Sequence, residues 1–276
     1  MKHRLLALDI DGTMLNSSSY LTARTKEAIK SLKSKGYQVT LVSGRRPMLM
    51  LDYARELEIT APIVSFNGAL IYSAEEMQIL ERTAIPLYLV SELMVSWSNE
   101  DIGMRISTGA LLGVQNYCVG KLSVKSNNLL PAQMANPDDD LRIDSSLAID
   151  FDPMRLMVGG SFELTSRAKE LAEEAISVGN LTVFHTQDYD GTWYFEILPS
   201  GVTKAKGLDT VCKLLGISMQ ETIAIGDQKN DIEMIKASGL GIAMGNAVAE
   251  LKDVADAVIG HHDEDGLAAY LEQLEG

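Results

Sequence analysis

The sequence predicts an α/β fold in which a mainly parallel sheet forms the core and an α+β segment is inserted into it. Short apolar runs alternate with helical patterns in the first third of the chain, and the same alternation returns in the last third. Between them, strands and helices mix less regularly. A chain of 276 residues is long enough for one large domain and a smaller one. We therefore expect a discontinuous core of residues 1–83 and 199–276 around an insert of residues 84–198.

The first third has a βαβαβ rhythm, which indicates parallel strands. The predicted elements are a strand Leu5 to Leu8, a helix Thr22 to Lys35 closed by Gly36, a strand Tyr37 to Val42, a helix Pro47 to about Leu57, and a third strand, "PIVSFNGA", ending near Asn67.

The last third repeats this rhythm after the insert. We expect a helix Lys206 to Leu215, strands at 222–226, 240–244 and 256–259, a helix Asp231 to Ala237, and a closing helix from Gly266. Within the insert, residues 131–140 are predicted to form a loop, with the aspartates 138–140 solvated.

Composition narrows the classes of partner. The formal charge of -14 and a pI near 4.7 argue against a nucleic-acid or anionic-membrane surface. Cys118 and Cys212 lie far apart and form no CxxC, so neither a disulfide framework nor a zinc site is suggested. The apolar run in "MKHRLLAL" is too short for a signal peptide, and no run of about 18 apolar residues suggests a membrane span. A cytoplasmic protein with a small-molecule partner fits these features.

Polar residues follow four of the predicted strands at the point where each strand ends. They are Asp9 and Asp11, then Ser43, Gly44 and Arg45, then Asn67 and Gly68, and in the second half Gly226 and Asp227. Any one of them could be a helix cap. Because the carboxyl ends of parallel strands meet at one edge of a sheet, where ligands bind, the four loops together favour a single site.

The residue types at this edge indicate phosphoryl transfer. Four carboxylates, those of Asp9, Asp11, Asp227 and Asp231, would repel one another unless a cation lies among them, and an oxygen-only set favours Mg²⁺. The segment "SGRRP" places a hydroxyl, a glycine amide and two guanidinium groups at a predicted helix start, which suits a phosphate. A metal beside a phosphate cradle is typical of phosphoryl transfer.

Two acids separated by one residue can divide this chemistry. Asp9 can act as the nucleophile and form an aspartyl-phosphate, while Asp11 can protonate the leaving oxygen and later activate water. Gly12 allows the chain to turn sharply after them.

With these residues identified, the sequence resembles the haloacid dehalogenase superfamily of phosphohydrolases, and within it the Cof-type branch with an α/β (type IIB) cap. The resemblance spans essentially the whole chain and rests on "DIDGTML", "VSGRR", "GVTKAKGL" and "IGDQKNDIEMI", with "FNGA", "AMGNA" and "DEDGLAAYLE" as further similar segments. It implies a Rossmann-like core, with residues 84–198 as a cap that closes over the site and selects the substrate.

The resemblance also implies roles for individual residues. Asp9 would be the nucleophile and Asp11 the acid/base. The phosphate would contact Ser43, the Gly44 amide and Lys204, with Asn230 nearby. Apart from the resemblance, the position of Arg45 at a predicted helix start beside Ser43 and Gly44 makes it either a phosphate or substrate contact or an ordinary surface residue, and Asn67 is a further candidate contact. Mg²⁺ would be held by the Asp9 carboxylate, the Asp11 carbonyl and Asp227, with Asp231 close by.

One departure from the family pattern concerns the lysine. Family members usually have glycine directly after it, whereas Ala205 follows Lys204 here and the Lys-Gly pair is Lys206-Gly207. Counting back from "LLGI" favours Lys204, and Lys206 is the alternative.

The leading hypothesis is a Mg²⁺-dependent phosphatase for a small phosphorylated metabolite, either a sugar phosphate or a phosphorylated cofactor. The alternatives are a phosphomutase of the same superfamily and a non-catalytic sensor of phosphorylated metabolites. His261 and His262, beside Asp263 and Glu264, are expected to be ordinary surface residues.

Overall fold

The computed structural model describes residues 3–97, 100, 102–111, 116–120, 141–143, 151–175, 181–187 and 191–274, with the backbone alone at 117–120, 141–143 and 187. Its contacts divide the chain into two compact units. Unit 1 comprises Met1–Glu81 and Thr203–Gly276, and unit 2 comprises Arg82–Val202.

Unit 1 contains a five-stranded parallel sheet in the order β14-β13-β12-β1-β2. Its strands are β1 (Leu5–Leu8), β2 (Gln38–Leu41), β12 (Thr222–Gly226), β13 (Leu240–Ala243) and β14 (Ala257–Val258). The helices of this unit are α1 (Ala23–Ser34), α2 (Met48–Glu56), α5 (Lys204–Leu215), α6 (Ile232–Ala237), α7 (Ala249–Lys252) and α8 (Gly266–Gln273).

The centre of this sheet is β1, which pairs with β2 on one side and β12 on the other. All four residues of β1 are fully buried, as expected for a parallel strand that is covered on both faces. In the register with β12, Leu8 lies beside Ile225, so the chain leaves both strands at the same level. This register brings Asp9 and Asp227 to one edge of the sheet.

The third predicted strand differs from the parallel arrangement expected for it. The strand β3 (Ile63–Ser65) meets β2 through one parallel bridge, Val42 to Val64. It then pairs antiparallel with β4 (Leu70–Ser73) in a small sheet of order β3-β4-β5, where β5 is Gln78–Arg82. The reversal occurs at Phe66, Asn67 and Gly68, which all have positive φ and turn the chain back within three residues.

Unit 2 has a six-stranded sheet in the order β10-β11-β9-β6-β7-β8, in which every pair is antiparallel except β7 with β8. Its elements are α3 (Leu87–Trp97), β6 (Gly103–Ser107), β7 (Asn116–Gly120), β8 (Leu141–Ile143), β9 (Arg155–Gly160), α4 (Phe162–Ala175), β10 (Leu181–Gln187) and β11 (Trp193–Pro199). A hydrophobic core of its own joins α3 and α4 to β6, β9 and β11. The predicted loop at 131–140, with its aspartates, lies outside the described residues.

The predicted fold class is confirmed: a mainly parallel central sheet and a separate, mainly antiparallel sheet region form a mixed α/β architecture. Among the described helices, none has the length and apolar character needed to cross a lipid bilayer.

Candidate active site

Three buried carboxylates lie together at the carboxyl ends of β1 and β12. Asp9 follows β1, Asp227 follows β12, and Asp231 ends the short 3-10 turn that comes next. Each side chain offers an oxygen atom, and these three oxygens lie within 4.8 Å of one another. Such a group is unfavourable without a cation, because like charges at this distance repel strongly when water is excluded.

Lys204 supplies one positive charge to this group. Its ammonium donates hydrogen bonds to Asp9 Oδ1 at 2.7 Å and to Asp231 Oδ1 at 2.6 Å, and its side chain is only 2% exposed. The helix α5 begins at Lys204 because Thr203 caps it, accepting a hydrogen bond from the Lys206 amide at 3.2 Å. The structure thus places Lys204 against Asp9, whereas Lys206 is exposed to solvent.

Asp231 also organises the loop after β12. Its Oδ2 accepts hydrogen bonds from the backbone amides of Asp227 at 3.1 Å and Gln228 at 3.0 Å, while its Oδ1 is bound to Lys204. The close approach requires glycine at position 226, since a Cβ there would lie 2.5 Å from the Asp231 carboxyl carbon. Both oxygens of Asp231 are therefore already engaged.

Burial raises the pKa of two of these acids. The pKa of Asp9 lies well above its usual range because the carboxyl is desolvated and faces Asp231 and Asp227, and the charge of Lys204 compensates only partly. Burial and the charge of Asp231 raise the pKa of Asp227 to about 6. Burial and mutual repulsion together disfavour ionisation of both acids, and Lys204 offsets these effects only in part.

Asp11 lies at the solvent side of the same loop. Its side chain is 53% exposed and is held by Arg45, which donates from Nε to Oδ2 at 2.8 Å and from Nη2 to Oδ1 at 2.5 Å. This two-bond arrangement fixes the plane of the carboxylate. The sequence predicts Arg45 as a phosphate or substrate contact. The structure shows that it binds the Asp11 carboxylate, and its contact with a ligand stays a prediction.

The loops after β2 and β3 are joined to each other. The Asn67 amide donates to the Ser43 carbonyl at 3.0 Å, and Ser43 Oγ accepts from the Arg45 amide at 3.1 Å, which leaves the hydroxyl hydrogen available to a ligand. A Cβ at Gly44 would come within 3.1 Å of the Asn67 side-chain amide. These residues form one continuous polar strip at the sheet edge.

A side-chain pair joins this strip to the acidic loop of β12. Asn230 Nδ2 donates to Asn67 Oδ1 at 2.9 Å. Within the described residues, Asn230 Oδ1 is buried and has no hydrogen-bond partner, so an acceptor remains for a bound ligand.

Three further residues of the site were missed from the sequence. Thr13 Oγ1 donates to Asp227 Oδ1 at 3.3 Å, and Gln228 Nε2 donates to Asp227 Oδ2 at 3.2 Å. Asn246 Nδ2 donates to the Gly12 carbonyl at 2.7 Å. Thr13 and Asn246 belong to the segments "DIDGTML" and "AMGNA". The residue pattern of these segments does not predict which groups the two side chains bind.

The acids fit a hard divalent cation. Asp9, Asp227 and Asp231 offer only carboxylate oxygens, and Lys204 provides a single positive charge for the three of them. A further cation of charge two would offset the burial and the repulsion that raise the pKa of Asp9 and Asp227. The Asp9 and Asp227 carboxylates are the groups best placed to meet it.

Comparison with known proteins shows which family this chain resembles over nearly its whole length. The family model of the haloacid dehalogenase-like hydrolases matches residues 6–271. The stress response protein YhaX of Bacillus subtilis is 30% identical over 292 residues, covering 99% of this chain and 93% of its own. The 5-amino-6-(5-phospho-D-ribitylamino)uracil phosphatase YitU of the same organism is 28% identical over 286 residues, covering 99% and 97%.

A solved structure has the same fold over the whole chain. The haloacid dehalogenase-like hydrolase from Bacteroides thetaiotaomicron superposes with a TM-score of 0.84 at 27% identity, covering 99% of this chain and 100% of its own. With the family model, the relatives and the fold in agreement, this chain belongs to the haloacid dehalogenase-like hydrolases, as a phosphoric monoester hydrolase of their Cof-type branch.

Proposed function

We propose that this protein is a Mg²⁺-dependent phosphatase that hydrolyses a small phosphorylated metabolite through an aspartyl-phosphate on Asp9. The observation that carries the proposal is the Asp9 carboxylate itself. It is buried at the end of β1, Lys204 binds one of its oxygens, and two further acids lie within reach of a shared cation. A nucleophile needs this combination of restricted water and local positive charge.

In the first step, Asp9 Oδ2 attacks the phosphorus atom, and the bond between phosphorus and the ester oxygen breaks. Lys204 holds Asp9 Oδ1, so the other oxygen of the carboxylate is the one left to react. Asp11 gives its proton to the departing oxygen, which leaves as an alcohol. For Asp11 to carry this proton, one of the two hydrogen bonds from Arg45 would open, and the other would keep the carboxyl in place.

In the second step, Asp11, now a carboxylate, takes a proton from water as the water oxygen attacks phosphorus. The bond between phosphorus and Asp9 breaks, which restores the Asp9 carboxylate and releases inorganic phosphate. Asp11 suits both steps because its exposure gives it access to the leaving group and then to solvent.

The polar strip would bind the oxygens of the transferred phosphoryl group. Ser43 can donate its hydroxyl hydrogen, and the Gly44 amide, Asn67 and Asn230 lie along the same edge. Arg45 contributes in this scheme through Asp11 and through its positive charge near the incoming phosphate.

Asp9, Asp227 and the Asp11 backbone carbonyl would hold the metal ion. When bound, Mg²⁺ neutralises charge on the phosphoryl oxygens and on the buried carboxylates. A direct metal role for Asp231 stays a prediction, and its present contacts support a role in orienting Lys204 and the loop after β12.

The substrate class follows from the relatives and from unit 2. We propose a phosphorylated sugar, sugar alcohol or cofactor intermediate, since YitU, whose name gives a phosphorylated ribityl compound as its substrate, covers nearly the whole chain. Residues 84–198, which fall within unit 2 and form a core of their own, would act as the cap that selects the leaving group.

The test is phosphate release from a panel of phosphorylated sugars, sugar alcohols and cofactors in the presence of Mg²⁺. We expect release from a limited group of compounds, with loss of activity in EDTA and in Asp9→Asn. Acid quenching during turnover should trap ³²P on the wild-type protein and leave none on Asp9→Asn.

Two outcomes would contradict the proposal. Isomerised product without phosphate release would indicate a mutase. Compounds that raise the melting temperature, with no turnover of any of them, would indicate a sensor.

A further inference from the structure

A second group of metal-binding side chains lies outside the acidic cluster, in the loop between β14 and α8. We call residues 261–263 the histidine loop. His261 Nδ1 lies 3.7 Å from Asp263 Oδ2, and His262 Nε2 lies 3.6 Å from the same oxygen. One ligand atom from each of the three residues lies within 4.8 Å of those of the other two.

These separations match a metal coordination sphere. Nitrogen and oxygen ligands lie about 2.0–2.2 Å from Zn²⁺, so two ligands of a tetrahedral ion are roughly 3.4 Å apart. The two distances to Asp263 Oδ2 exceed this value by only a few tenths of an ångström. Small side-chain rotations would bring the three atoms onto one ion.

The orientation of His262 favours this role. Its Nδ1 lies 3.0 Å from the Leu15 carbonyl oxygen, which can only accept, so Nδ1 carries the hydrogen and Nε2 carries the lone pair. Metal-binding histidines usually donate their second ring nitrogen to a carbonyl or carboxylate in this way, and the bond fixes both the tautomer and the ring plane. The side chain is 10% exposed, contrary to the surface position expected from the sequence.

Hydrogen bonds from other segments of the same chain, and one within the loop, hold the rest of the histidine loop in position. The Ser17 amide donates to Asp263 Oδ1 at 2.8 Å, which leaves Oδ2 directed at the two rings. The His262 amide donates to Asn246 Oδ1 at 3.1 Å. His261 Nδ1 accepts from the Asp263 amide at 3.1 Å, and a metal ion would replace this one bond.

We propose that His261, His262 and Asp263 form a site for a divalent transition metal of the Zn²⁺ or Co²⁺ type, separate from the acidic cluster. Two imidazoles and one carboxylate suit these borderline ions, whereas Mg²⁺ prefers oxygen ligands. His261 and Asp263 are about two-fifths exposed, so the remaining coordination positions are open to water.

The test uses Co²⁺ as a spectroscopic probe with excess Mg²⁺ present to occupy the acidic cluster. We expect one equivalent of Co²⁺ to give the intense visible absorption of a four- or five-coordinate site with nitrogen ligands, and Zn²⁺ to displace it. His262→Gln and Asp263→Asn should each weaken Co²⁺ binding at least tenfold.

Two further variants keep the result interpretable. His261→Gln alters a side chain that is about two-fifths exposed and should weaken binding without unfolding the protein, which the far-UV circular dichroism spectrum checks. His185→Gln, in unit 2, is the matched control and should bind Co²⁺ like the wild type. Absence of the absorption in the wild type, or its persistence in His261→Gln, would overturn the proposal.

Discussion

At the scale of single residues, Lys204 has the most direct influence on the site because it binds two of the buried carboxylates. We expect Lys204→Met to lower kcat/KM by about 10²- to 10³-fold, the range found when one charge-stabilising group is removed from an active site. Lys206→Met is the matched control, since its side chain points to solvent two residues away. It should stay within about twofold of the wild type, as expected for a surface position.

Steady-state kinetics with a substrate from the panel would measure both lysine variants. Breaking a buried ion pair can cost about 3–5 kcal/mol, so circular dichroism in Mg²⁺ must first show that Lys204→Met is folded. A folded variant with nearly normal kcat/KM, or an equal loss in both variants, would show that Lys204 is not the phosphate lysine.

The raised pKa of Asp227 makes a second prediction at this scale. The folded protein binds a proton at this carboxyl up to about pH 6, whereas an unperturbed aspartate releases it near 3.8. The contribution to stability is therefore complete below about pH 4 and is lost as pH rises through about 6. In EDTA, the melting temperature should fall between about pH 4 and 6, and the fall should be smaller in Asp227→Asn.

The control for this pH dependence is Asp52→Asn, which removes a carboxylate that is 92% exposed. Its melting temperature should follow the wild-type curve. Added Mg²⁺ should reverse the wild-type loss at pH 7, because the ion binds the ionised form. Identical curves for wild type and Asp227→Asn would contradict the prediction.

At the scale of elements, the cap of α5 matters because this helix begins with Lys204. Thr203 caps α5 and Thr22 caps α1 through the same kind of bond, each at 3.2 Å. Either threonine changed to alanine should lower the free energy of unfolding by about 1 kcal/mol. We expect only Thr203→Ala to lower kcat/KM as well, on the order of tenfold, since displacement of a catalytic group by 1 Å can cost more. Urea titration and kinetics on both variants would show whether the effects separate.

The elements also show what the sequence can and cannot predict. Leu5–Leu8 and 222–226 were predicted with their observed bounds, because a fully buried strand leaves an uninterrupted apolar run. The start of α5 was placed two residues late, since the pattern of "TKAKGL" does not reveal which polar residue serves as the cap. The β3–β4 reversal was missed because positive φ at Phe66 is dictated by tertiary packing and not by residue type.

The site residues show the same contrast between what the sequence pattern predicts and what tertiary packing determines. Asp9, Asp227 and Lys204 could be found because strand ends and motif spacing place them at one edge. The pairing of Asp11 with Arg45 and the Lys204 contact of Asp231 depend on side-chain directions between segments distant in sequence. The two backbone hydrogen bonds to Asp231 depend on the local path of the loop after β12. Their roles in catalysis remain predictions until the variants are measured.

At the scale of the whole molecule, both tryptophans belong to unit 2, at positions 97 and 193. Trp97 is buried in the core of that unit, where its Nε1 donates to the Ala168 carbonyl at 3.2 Å. Tryptophan fluorescence should therefore follow the unfolding of unit 2, while Mg²⁺ should stabilise unit 1. A concentration near 100 times Kd stabilises a folded unit by about 2.7 kcal/mol.

We expect Mg²⁺ to raise the circular dichroism midpoint in urea and to leave the fluorescence midpoint within error, because each unit has its own core. The two natural tryptophans already report on unit 2 alone, so the test needs no introduced fluorophore. An equal shift of both midpoints would show that the two units unfold as one.

The order of the strands also affects how the protein is made on the ribosome. The edge of β1 that β12 covers stays unpaired until residues 222–226 have been synthesised. At about 5–20 residues per second, the wait from the completion of β2 is on the order of ten to forty seconds. For most of that time the nascent chain carries the nucleophile without Lys204, and throughout it lacks Asp227 and Asp231. Chaperones therefore have a defined apolar edge to protect, and a prematurely terminated chain would be catalytically silent.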